Sequence, residues 1–143
     1  MTVDTESHAR IFVDTNIWLY AFIANQGLRK HAIAHELVSA RGICISVQVI
    51  NEVSVNLLKK TDFTETALCQ LVHAFYTRCH VVPLDAGVFI GASELRRRYS
   101  LSYWDSIIAA CALSANCDTL LCEDMQHGLV INGRLTVNNP FSQ

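Results

Sequence analysis

The apolar run Ile11-Phe12-Val13 passes directly into Asp14-Thr15-Asn16, three polar residues able to ligate a cation or cap a helix. Asp124 likewise follows an apolar run, Thr119-Leu120-Leu121-Cys122, while Glu52 and Asp105 lie inside stretches with helical spacing. If the fold gathers three or four of these carboxylates, their mutual repulsion perturbs their protonation unless a cation sits among them. A donor set of carboxylates without histidine or thiolate suits Mg2+ or Mn2+, which prefer hard oxygen ligands and retain several waters. Such an ion activates water and clamps a phosphodiester for in-line attack, so the chemistry implied is metal-dependent phosphoryl hydrolysis.

Each acid also has an ordinary structural explanation. Asp14 or Asn16 can cap the following helix, Asp105 closes the capping-box spacing of Ser102-Tyr103-Trp104-Asp105, and Asp124 can serve a turn ahead of Gly128. Glu52 falls well off the stripe formed by Ile50, Val53 and Leu57, where a solvated glutamate would also lie. Periodicity does not select it. The functional reading therefore rests on convergence and not on any one residue.

Convergence depends on the elements that carry the acids. Ile11–Val13, with two β-branched residues and an aromatic one, reads as a buried strand, and Ile17, Trp18, Tyr20 and Ala21 begin a helix behind it. A second helix is expected over Leu28–Ala40, ended by Arg41-Gly42, and a second strand at Ile43-Cys44-Ile45. Ser46 is placed to cap a helix running to Lys60, and Asp62-Phe63-Thr64-Glu65 has capping-box spacing for another to about Arg78. Val81-Val82-Pro83-Leu84 is strand-like, and its proline assigns it to a sheet edge because it cannot donate to a ladder. Asp85 then caps a helix ending in Arg96-Arg97-Arg98; the helix opened by Ser102, a strand at Thr119–Cys122 and a short strand at Leu135–Val137 complete the chain.

Alternating strands and helices predict an α/β three-layer sandwich, a mostly parallel sheet of about four or five strands with helices on both faces. Ligands of such sheets bind at the carboxyl ends of the strands. Asp14 and Asp124 fall at that edge and Glu52 near it; Asp118 precedes its strand and belongs at the opposite edge. Asp105 follows a helix, which leaves its place open.

The length of 143 residues fits one domain, taken here as residues 1–143. A net charge of −2 gives no global attraction to nucleic acid or anionic membrane, so RNA contacts would have to use local basic clusters: Arg29/Lys30, Lys59/Lys60 and Arg96/Arg97/Arg98. Residues 1–10 are polar with both charge signs and no apolar core, and no later segment is apolar enough to span a bilayer, so a soluble, cytoplasmic protein is expected. The six cysteines form no C-x-x-C pair and read as reduced, buried thiols. A hydrophobic content of 51% hints at apolar surface reserved for a partner.

The segments IFVDTNIWLYA, VINEV, WDSIIAA, LLCEDMQHG and VNNPF together resemble the PIN-domain family, and more narrowly its VapC-type toxin ribonucleases. The likeness spans nearly the whole chain, with the first and third motifs the most specific. It implies a parallel sheet of strand order 3-2-1-4-5, consistent with Pro83 at an edge. It implies Asp14, Glu52, Asp105 and Asp124 as ligands of Mg2+ or Mn2+, and Asn16 as a polar residue supporting metal or phosphate. Cleavage of RNA phosphodiesters, an antitoxin whose carboxyl-terminal segment covers the acidic groove, and a homodimer are further implications. Cys122 departs from the serine or threonine common two residues before the last aspartate, and Glu123 is left open as an additional acid.

Two other classes fit less well. A haloacid-dehalogenase-type phosphatase needs a general acid where Asn16 stands, and an amide cannot serve. A receiver-like signalling module needs a lysine after its last strands, and no lysine follows Lys60. A catalytically silent PIN-like module that binds RNA or protein remains the alternative.

Overall fold

The computed structural model describes residues 10–142. Its elements run β1 (Ile11–Val13), α1 (Thr15–Phe22), α2 (Leu28–Leu37), β2 (Ile43–Ser46), α3 (Val47–Lys60), α4 (Glu65–Arg78), β3 (His80–Val82), α5 (Ala86–Arg98), α6 (Tyr103–Ser114), β4 (Thr119–Leu121), β5 (Val130–Ile131) and β6 (Leu135–Asn138). A short 3₁₀ turn, Ala24–Gln26, joins α1 to α2.

The sheet has the order β3-β2-β1-β4-β6-β5, all pairings parallel except β5 with β6. Thus the expected order is kept, with β6 in the fifth place and one extra strand outside it. β1 lies at the centre, Ile11 opposite both Ile43 of β2 and Thr119 of β4. Phe12 and Val13 are fully buried, which is why this strand carries no polar residue until its last backbone group has paired.

Helix starts follow side-chain chemistry. Ser46 accepts from Val49 N at 3.2 Å, Asp85 from Val88 N at 3.0 Å and Ser102 from Asp105 N at 3.1 Å, each satisfying one backbone donor orphaned at a helix start. Asp14 caps α1 through Thr15 N at 2.7 Å. In α3 the stripe Val49, Ile50, Val53 and Leu57 is buried, and Lys59 and Lys60 occupy the last turn. α6 is more deeply set: every residue from Ser106 to Ala112 is buried, and it packs on β2, β4 and β6. Its partner α5 shares that face, whereas α1 packs with α2 and α3, and α3 with α4.

Several expectations need correction. α4 is capped by Thr64, which accepts from Ala67 N at 3.1 Å, and not by Asp62, because Thr61 Oγ1 already accepts from Phe63 N and holds Asp62 in the loop. α2 stops at Leu37 instead of Ala40. β3 ends at Val82, so Pro83 lies just past the edge strand and stops it. β5 was not anticipated, although Asn132-Gly133 announces it: both have positive φ, 54° and 66°, and Arg134 N donates to Ile131 O, the geometry of a tight hairpin turn. Cys69 is exposed and Cys79 half-buried, so only four of the six free thiols belong to the core. No helix among the described residues is long and apolar enough to cross a membrane.

Candidate active site

Parallel register sets the carboxyl ends of β1, β2 and β4 side by side, and the chain turns polar at each of them. Asp14 N donates to Leu121 O at 3.0 Å, extending the β1–β4 ladder by one residue and fixing where the Asp14 side chain starts. There a cavity of about 320 Å³ is lined by Asp14, Asn16, Gln48, Glu52, Lys60, Trp104, Asp105 and Asp124, with Thr15, Leu19, Asn56 and Ile108. All four acids singled out in the sequence thus share one hollow. Asp118 is elsewhere, its N–H donating to Arg10 O at the opposite edge.

Each acid is held by a different neighbour. Cys122 Sγ donates to Asp14 Oδ2 at 3.2 Å, so the thiol keeps a donor where the family often has a hydroxyl. Thr15 Oγ1 donates to Glu52 Oε1 at 2.6 Å, joining α1 to the middle of α3. Asn16 Nδ2 donates to Asp124 Oδ2 at 3.2 Å, which makes it a partner of a carboxylate. Asp105 sits one turn into α6, its backbone N–H engaged by Ser102.

These environments change the acids. Burial pushes the Asp14 carboxyl up to about 6, against lowering by its Thr15 and Cys122 hydrogen bonds and with added repulsion from Glu52 and Asp105. Burial also raises Asp105, and the charge of Asp124 adds to it. Desolvation raises the Cys122 thiol too, which keeps it a neutral donor. The acids therefore sense one another.

The donor set is one of carboxylates, which suits Mg2+ or Mn2+, and the Asp14 carboxyl is raised chiefly by burial, with a smaller contribution from the charges of Glu52 and Asp105. Gln48 adds an independent sign: only 8% exposed in the cavity wall, it leaves Oε1 buried without a hydrogen-bond partner among the described residues. An acceptor in that position suits the protons of a hydrated ion. The acids are not drawn into a tight trio, however. Among the described residues no three His, Cys, Asp or Glu stand close enough to enclose an ion, because Thr15 and Asn16 tie Glu52 and Asp124 to their own corners. The residues fit a cation by chemistry and shared cavity.

Glu123 does not join them. Its carboxylate forms an ion pair with Lys30 and accepts from Tyr20 Oη at 3.0 Å, one turn further along α1 than Asn16. That pairing removes Lys30 from the candidate basic clusters, and Arg29 donates to Phe141 O. Arg96 is bound to Ser106 Oγ, Arg97 to Glu94 and Arg98 to Asn132. Of the three clusters, only Lys59/Lys60 reaches the acids, through Lys60. Sequence reasoning did not pick out Thr15, Gln48 or Trp104. The only available signal was adjacency: Thr15 and Trp104 each neighbour a candidate acid.

Four other cavities among the described residues are larger, about 420 to 580 Å³, and none of them gathers carboxylates.

Comparison with known proteins places these features in context. A family model described as "PIN domain" matches residues 11–127. Among solved structures, a toxin-antitoxin complex from Klebsiella pneumoniae is 23% identical, covering 94% of this chain and all of that one with a TM-score of 0.69. The VapC20 toxin of Mycobacterium tuberculosis, described as cleaving the sarcin-ricin loop, is 22% identical over 77% of this chain and 86% of its own, with a TM-score of 0.61. VapBC2 from Rickettsia felis, bound to a DNA fragment from its promoter, is 21% identical over 89% and 97% with a TM-score of 0.60. At these identities the likeness is one of fold. No curated protein sequence gives a significant match.

Proposed function

Because the chain belongs to the PIN domain family, we propose that it is a divalent-metal-dependent endoribonuclease, the toxin of a toxin-antitoxin pair. The observation that carries this reading is the convergence of Asp14, Glu52, Asp105 and Asp124 on one cavity at the carboxyl edge of the sheet. Those four residues would hold Mg2+ or Mn2+. When bound, such an ion supplies an acidified water and charge neutralisation for an in-line displacement at a phosphodiester.

The chain's own groups prepare that chemistry. Asp14 is largely ionised only above pH of about 6, so below that value its affinity for a cation falls. Thr15 and Asn16 fix the orientation of Glu52 and Asp124, leaving each carboxylate one oxygen without that bond. Gln48 Oε1 is a free hydrogen-bond acceptor in the cavity wall, and Lys60 there attracts the phosphate backbone. Asp105 is placed by the rigid first turn of α6, which the buried face of that helix anchors.

Toxin-antitoxin assemblies are among the structural neighbours, which supports an antitoxin partner here. Exposed Phe89 and Ile90 on α5 support a homodimer as the means of covering them. A cytoplasmic location accords with an RNA substrate.

Incubation of structured and unstructured RNA with the wild type, with and without EDTA, and with Asp14→Asn tests the proposal. Cleavage lost in both chelator and variant is expected; cleavage surviving both ends the metal-nuclease reading. The absence of a tight acidic trio favours one rival, a silent RNA- or protein-binding PIN module. It predicts RNA retention with no cleavage under any divalent ion.

A further inference from the structure

Trp104 is the one large apolar side chain of the acidic cavity that the core does not use. It is 62% exposed, at the first turn of α6, directly before Asp105. The other tryptophan of the chain, Trp18, is buried and donates Nε1–H to Val13 O at 3.1 Å, which is the usual fate of an indole.

The Trp104 indole is nonetheless braced. Tyr103, itself 49% exposed, meets it edge to face with ring centroids 5.4 Å apart and planes at 83°. Arg96 lays its guanidinium over the Tyr103 ring at 4.7 Å. Arg96 is held in turn by Ser106 Oγ at 2.7 Å, and the same buried hydroxyl donates to Tyr103 O at 2.6 Å. A packed aromatic ring, a cation and a buried hydroxyl thus support a flat apolar face that borders four carboxylates. Lys60 lines the same cavity from the end of α3, and two further hollows meet it there, one reaching Asn25 and Lys59 and the other Tyr20 and Gln26.

We propose that Trp104 stacks on an unpaired nucleobase next to the phosphate being cut, making it a specificity-determining residue that selects single-stranded or looped RNA. This deepens the nuclease reading and rests on it. A nucleotide matches the site at both ends: its phosphate is anionic, as Lys60 and a cation-loaded acid cluster require, and its base offers a π face to the indole. In a duplex that face is covered by the neighbouring pairs, so only an unstacked base can meet Trp104. An apolar protein segment would instead desolvate the carboxylates beside the indole without pairing them.

Only one of the two tryptophans is exposed, so a change of indole emission on adding RNA reports on Trp104. In an Asp14→Asn background, which binds without cutting, titration with a short single-stranded RNA should quench that emission, and the same RNA annealed to its complement should quench it far less. Trp104→Ala should raise KM for single-stranded RNA roughly tenfold while changing kcat less, and Trp104→Phe should recover most of the loss. Circular dichroism melts of both variants should match the wild type. If the wild type cleaves RNA yet Trp104→Ala keeps the same KM and the same preference for unpaired over paired RNA, the stacking role is overturned while the nuclease survives. If the wild type neither binds nor cleaves RNA, both readings fall together.

Discussion

Glu123 and Asp124 are adjacent carboxylates treated in opposite ways. Glu123 is neutralised: Lys30 pairs with it, Tyr20 donates to it, and the Lys30 ammonium also lies over the Tyr20 and Phe141 rings. Asp124, the next residue, faces a cavity where three other acids meet and where, among the described residues, Lys60 is the only cationic one in the lining. The same strand end therefore sends one acid to a permanent counter-ion and the next to a group left short of positive charge. The fold has a lysine available and uses it one turn further along α1. What the difference teaches is that the excess negative charge is a property of the site and not a general feature of this edge.

The comparison breaks most sharply at Asp14. Asparagine keeps the helix cap, since its side-chain oxygen can still accept from Thr15 N, but removes the charge. RNA cleavage should fall at least about a hundredfold; wild-type rates would dissolve the distinction between the two groups. The same variant sharpens the comparison through stability. The folded state holds the Asp14 proton up to a pH of about 6, against 3.8 for an unperturbed aspartate, so the folded chain binds more protons than the unfolded chain between those values. The wild type consequently loses stability as pH rises through that window, by up to about 3 kcal/mol from this group. Asp14→Asn lacks the loss, and chemical denaturation at pH 4 and pH 7 without divalent ions should show its advantage growing with pH.

Divalent cation should reverse the penalty. At a hundred times its dissociation constant Mn2+ would stabilise the wild type by about 2.7 kcal/mol, visible as a rise in melting temperature, and Asp14→Asn should lose most of the increment. Lys30→Ala probes the other member of the pair. A small fall in melting temperature with unchanged cleavage is expected; a loss of cleavage would show that Glu123 belongs with the acids after all. The smallest effect is expected from Cys122→Ser. A hydroxyl is a better donor to Asp14 Oδ2 than a thiol, so cleavage should stay within about threefold of the wild type while the pH midpoint of the Asp14-linked stability moves down.

Much of this was readable in the chain. The break from Val13 to Asp14 identified both the central strand and the edge where the site forms, because a β-branched run that turns polar at one end allows few other folds. Ser46, Asp85 and Ser102 announced their helices since capping is a local matter. Thr64 was obscured by Asp62, two residues of similar chemistry competing for one cap, and only the Thr61 hydroxyl decides between them. Glu52 could not be found from periodicity, because a residue off the apolar stripe faces either water or a cleft, and the helix alone does not say which. The basic clusters misled for a related reason: lysine and arginine side chains are long, and whether Lys30 or Lys60 reaches the acids depends on tertiary neighbours far away in sequence. Gln48 and Trp104 carry no sequence pattern. Their roles appear only once α3 and α6 are set against the same strand ends.

The central placing of β1 carries a further consequence. Ile11 pairs with Thr119, so the strand that presents Asp14 is completed on one side by a segment that lies almost at the other end of the chain. Such distant parallel pairing closes late, after the large entropy of the intervening loop has been overcome. A growing polypeptide that has emerged only through α5 possesses Asp14 and Glu52 yet lacks both Asp105 and the wall that steadies Asp14. If the chain is the nuclease proposed, it is thereby inert throughout most of its synthesis, by topology alone.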